Sequence, residues 1–120
     1  MAIRSYWKMW TEAKPEEKAL RVFERVRRGL GREALDRSVE PYPKISGFVV
    51  AFWIELESQA WNDSVVEVIA LGQRVGYQWT LSGDILTDTD GWSNESSVSG
   101  VRSIQWMLDR RWTMPGIVDA

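Results

Sequence analysis

The sequence predicts an α+β domain of the ferredoxin-like split βαβ kind, β-α-β-β-α-β plus an extra C-terminal strand. In that arrangement one antiparallel sheet carries both helices on a single face. Three observations lead there. Lys44–Ser58 alternates, with Phe48, Val50, Phe52, Ile54 and Leu56 on one side of the chain and Val49, Ala51, Trp53, Glu55 and Glu57 on the other. That is the period of a strand with one face in a core. Two segments with helical spacing flank it, and further alternating segments begin and end the chain.

Taken in order, Ile3–Thr11 alternates Ile3, Trp7 and Met9 against Arg4, Tyr6, Lys8 and Trp10, which predicts a first strand with an aromatic second face. Pro15 sits where a first helical turn tolerates proline, and Glu16 and Glu17 follow near the positive end of the helix dipole. Ala19, Leu20, Phe23, Val26 and Leu30 then form one apolar stripe, with Arg25, Arg27 and Arg28 in the last turns and Gly29 or Gly31 as the stop. Arg32–Glu40 reads as a short, charged edge strand, and Pro41 and Pro43 bracket a turn into the central strand.

After Ser58 the period lengthens. Asn62 or Asp63 is the expected N-cap of a second helix, with Trp61 and Val66 stapling its start. Val65, Val66, Val68, Ile69 and Val75 are its expected apolar face, and Gly76 its stop. Tyr77–Leu81 alternates as a strand interrupted at Gly83-Asp84, with Ile85–Thr89 continuing it. Asp88–Gly100 has the composition of a loop. Val101–Trp112 fits helix or strand, and the strand is favoured, paired with Tyr77–Leu81. Residues 1–112 thus form one domain, and 113–120 a loosely held tail.

Composition excludes whole classes of chemistry. There is no cysteine and no histidine among the 120 residues, so disulfides, thiolate sites, a Ser-His-Asp triad and His-dependent metal sites are all ruled out. No Gly-rich phosphate loop with its lysine occurs. The segment DTDG, Asp88–Gly91, matches part of a calcium loop. If Asp88 and Asp90 were its third and fifth positions, Leu86 and Ser97 would hold its first and twelfth, so the match fails at both ends and no metal is expected. Paired carboxylates could be drawn from Glu55, Glu57, Asp84 and Glu40, but nothing in the sequence marks any of them as buried. No cofactor is expected, and an enzyme less than a binding module.

Charge is uneven. Residues 1–37 carry ten Lys and Arg against six Asp and Glu, and residues 38–120 carry five against eleven, for a net −2. The N-terminal MAIRSYWKMW lacks the apolar core of a signal peptide and no apolar run has the length of a membrane span, so a cytoplasmic location without membrane contact is expected. The sheet face turned away from the helices would hold Val49, Ala51, Trp53, Tyr6 and Trp10, with acidic residues beside them. That acidity argues against nucleic acid. Cover by the Trp112 tail is the simplest fate for such a face; a second copy or another protein is the other.

The expected function is therefore a small acidic protein-interaction domain. Its partner-binding residues would be Trp10, Trp53, Glu55, Glu57, Asp84, Asp88 and Asp90, its partner basic, and a homodimer through the open sheet face an added expectation. In size, acidity and lack of catalytic motifs the chain is similar to bacterial immunity-type proteins, which implies neutralisation of a cationic toxin. The alternative is a ferredoxin-like dimer that binds a small ligand or performs carboxylate acid–base chemistry between sheet and helices.

Overall fold

The computed structural model describes residues 3–112, so the expectation of a loose tail at 113–120 lies outside the described residues. Strands β1 (Arg4–Thr11), β2 (Leu35–Tyr42), β3 (Gly47–Glu55), β5 (Thr80–Asp84), β6 (Asp88–Ser93) and β8 (Val101–Asp109) form one sheet in the order β2-β3-β1-β8-β6-β5. Every pairing in it is antiparallel. The short strands β4 (Gly76–Tyr77) and β7 (Glu95–Ser96) pair separately. Two helices, α1 (Glu16–Leu30) and α2 (Trp61–Gln73), complete an α+β fold. None of the described helices is long and apolar enough to cross a membrane.

The central strand behaves as its alternation requires. Val50, Phe52 and Ile54 are fully buried, and β3 pairs with β1 from Arg4↔Glu55 to Thr11↔Phe48. On β1 the buried set is Trp7 and Met9, flanked by Ile3. Trp7 stacks near Phe52 with centroids 6.3 Å apart, and Phe23 of α1 meets Phe52 edge-on at 5.0 Å. α1 ends where Gly31 turns left-handed, at φ 68°, and its N–H reaches the carbonyls of Arg27 and Arg28. A residue with a Cβ is strained there, so glycine is the natural stop.

Several expectations are corrected. The six-stranded order differs from the four- or five-stranded ferredoxin-like sheet expected, because the hairpin β5–β6 extends the sheet beyond β8. Asp88–Ser93 is strand, not loop: its outward residues are Asp88, Asp90 and Trp92, and Thr89, Gly91 and Ser93 are buried. Gly91 and the aspartates disguise a two-residue period. Val101–Asp109 is indeed a strand, but it pairs with β1 and β6 rather than with Tyr77–Leu81. Gly83-Asp84 belongs to β5, and Asp84–Thr87 closes the hairpin with Thr87 N–H donating to the Asp84 carbonyl at 3.0 Å. α2 starts earlier than expected, with Ala60 at the N-cap in place of Asn62 or Asp63 and no side-chain cap, and it stops at Gln73 rather than Gly76.

The connection from β3 to α2 is fixed by Glu67 instead of a cap. Its carboxylate accepts the backbone N–H groups of Glu57 and Ser58, both at 2.8 Å, the Ser58 hydroxyl at 2.7 Å and Arg32 Nη1 at 2.7 Å. Burial alone would raise this carboxyl, but the four donors outweigh it and hold the pKa at about 2.

Candidate interaction surface

The sheet face that no helix covers is built by strand alternation. Reading across the ladders, Trp53 of β3 faces Tyr6 of β1, and Tyr6 faces Met107 of β8. Next along, Ala51, Lys8, Gln105 and Trp92 fall in one row, followed by Val49, Trp10 and Ser103. Lys8 thus lies between two aromatic groups, with its ammonium 5.9 Å from the Tyr6 ring centre.

The first group is Tyr6, Trp53 and Trp112. Tyr6 and Trp53 tilt against each other at 4.7 Å, and Trp112 stands edge-on to Trp53 at 5.3 Å and to Tyr6 at 6.4 Å. The second is Trp10, Trp92 and Tyr42, with Trp10 4.9 Å from Trp92 and 6.4 Å from Tyr42. Five of these six side chains are half-buried and Trp112 is exposed. Polar neighbours are tied down: Trp92 Nε1 and the Ser103 hydroxyl both donate to Asn94 Oδ1, and Gln105 Nε2 donates to Asp90 Oδ2.

At one end the face is acidic. Asp84 stands opposite Asp88, and Asp88 opposite Asp109, on three neighbouring strands. Like charges directly opposite in a ladder are destabilising, and local donors relieve them only in part. Arg111 grips Asp109 through both carboxylate oxygens and lowers its pKa, and Leu86 N–H and the Thr87 hydroxyl donate to Asp84 and Asp88. Asp88, Asp90, Asp109, Met107 and Trp112 line a shallow cleft of about 330 Å3 there. Among the described residues no three His, Cys, Asp or Glu come close enough together to hold a metal ion.

Of the residues singled out from sequence, Asp84, Asp88 and Asp90 come together, and Trp10 and Trp53 share the face but sit in different aromatic groups. Glu55 closes β3 at the acidic end, beside Arg4 at 3.8 Å. Glu57 stands apart: it lies past the strand and pairs with Arg32 at 3.0 Å, on the loop that Glu67 holds. Trp92, Tyr42 and Asp109 were missed. The outward alternation Asp88, Asp90, Trp92 was the signal for the first, and loop-like composition hid it.

Compared with family models, curated proteins and solved structures, the chain matches none.

Proposed function

We propose that the chain is a protein-interaction domain that docks a basic partner across the open sheet face. The observation that carries this reading is the stack of Asp84, Asp88 and Asp109 on adjacent strands beside exposed Trp112. Asp109 is buried and held by Arg111, so the exposed carboxylates of Asp84 and Asp88 are the ones that gain from a cation a partner brings, and aromatic rings supply the contact area. Neutralising a cationic toxin is the narrower form of the same reading, as is action in the cytoplasm, in keeping with the absence of cysteine. The run β2-β3-β1-β8 with two helices supports a ferredoxin-like core into which the β5–β6 hairpin has been inserted.

A small-ligand or acid–base role would call for an apolar pocket with a convergent carboxylate. The cleft between α2 and β5, about 490 Å3, is lined by Ile69, Gln73, Gly76, Tyr77, Gln78, Trp79, Leu81 and Trp106, and none of these is acidic. The test is capture of partners from the native host with wild-type protein and with Trp53→Arg. A basic protein retained by the first and lost by the second supports the reading; a partner that is acidic, or held equally by both, overturns it.

A further inference from the structure

We propose that the exposed side of α2 and the cleft beside it pair two copies of this chain, α2 against α2, antiparallel about a twofold axis. This surface lies on the helix-bearing side of the sheet and is independent of the open face.

α2 is apolar on two sides. Trp61, Val65, Val68 and Leu71 are buried toward the sheet. Val66, Ile69, Ala70 and Gln73 follow at i, i+3, i+4 and i+7, the spacing of a second packing stripe, and Val66 is 67% exposed. The stripe continues into the cleft lined by Tyr77, Trp79, Leu81 and Trp106. At the other end of α2, Trp61 Nε1 donates to the Ile85 carbonyl at 2.7 Å, which sets exposed Ile85 and Leu86 beside the helix start. Among the described residues six large apolar side chains are exposed, and five of them are Val66 on α2, Tyr77 and Leu81 in the cleft, and Ile85 and Leu86 in the turn near the helix start. Exposed apolar side chains gathered around one element mark an interface.

The fold leaves room for it. α2 packs over Trp106 of β8, and on β5, the outermost strand, Leu81 stays exposed beside the cleft.

Charge selects a second copy as the occupant. Asp63 lies in the first turn of α2 and Arg74 at its C-cap, and Arg74 Nη1 donates to the Leu30 carbonyl, which keeps its charge at that end. An antiparallel pair brings Asp63 to the partner's Arg74 twice, and opposes the helix dipoles favourably. The same axis, passing near Val68, sets Val66 against the small Ala70 of the partner subunit. Pairing about a twofold axis uses the stripe of each copy once and closes as a dimer.

Sedimentation equilibrium on the wild-type protein at micromolar concentration tests this. A dimer is expected. Val66→Asp and, separately, Leu81→Asp are expected to give monomers that still melt cooperatively, since both side chains are exposed. Asp63→Arg is expected to weaken the dimer roughly tenfold, and Asp63→Arg with Arg74→Asp to restore it. A wild-type monomer throughout the range overturns the proposal. So does a dimer that survives Val66→Asp, or one dissolved by Trp53→Arg instead, because that places the contact on the open face.

Discussion

Gly91 of β6 lies directly under the indole of Trp106 on β8, so close that a Cβ at position 91 would come within 2.5 Å of Trp106 Cε2. Trp106 is 1% exposed and fills the space that a side chain on Gly91 would otherwise occupy. Gly91→Ala must displace a ring hemmed in by α2 and the cleft lining. It is expected to cost about 1–3 kcal/mol, as overpacking does, and chemical denaturation reads the loss. A neutral result would mean the indole has another place to go.

The same contact explains what the sequence concealed. β1, α1 and β3 were legible because their apolar positions repeat at steps of two or of three and four, and their burial follows those steps. β6 was not, because its core-facing positions are Thr89, Gly91 and Ser93, which show no hydrophobic pattern; the apolar mass there comes from Trp106, fifteen residues later. The start of α2 was misread for a related reason, since Glu67, from within the helix, secures the loop that a capping side chain was expected to close. Of the candidate site, the aromatic face of β1 and β3 could be read from alternation alone. The convergence of Asp84 and Asp88 with Asp109 could not, because it depends on which strand lies next to which.

Phe52 tests the orientation of the central strand. It is fully buried between Trp7 and Phe23, so Phe52→Ala is expected to cost about 3–5 kcal/mol. A loss under about 1 kcal/mol in a denaturant titration would contradict the packing described here.

Trp53 is the next residue on the same strand and points the other way. Its contacts are Tyr6 and Trp112, not the core. Trp53→Arg is expected to leave a cooperative fold, at a cost of roughly 1–2 kcal/mol from lost ring contacts, while partner capture fails. Collapse of the fold with capture intact would make Trp53 a structural residue.

Glu67 links stability to acidity. Its folded pKa of about 2 lies below the ordinary 4.5, so the carboxylate contributes stability that is fully present above about pH 4.5. That contribution is lost as pH falls through about 2. At roughly 1.4 kcal/mol per unit the shift corresponds to about 3 kcal/mol, for a side chain that is 12% exposed. Glu67→Gln cannot accept all four donors and is expected to lose about 2–4 kcal/mol at pH 7. The gap between wild type and variant should narrow between about pH 4.5 and 2; a gap constant over that window would show that the carboxylate's charge is not what holds the loop.

Asp88 separates stability from function. It faces Asp84 on one side and Asp109 on the other, and only the neighbouring Thr87 hydroxyl donates to it among the described residues. Asp88→Asn removes two like-charge oppositions and keeps the shape but gives up an attraction to nearby Arg111, so it is expected to raise stability by at most about 1 kcal/mol. If the acidic row serves a basic partner, the same change slows association, and more so together with Asp90→Asn. The effect should fade as salt shortens the Debye length toward about 8 Å. Dissociation should change less, as expected for charges at the rim of an interface. Stopped-flow association across a salt series reads both rates. A variant that is more stable and binds as fast as wild type at low salt would leave the carboxylate row without a role in recognition.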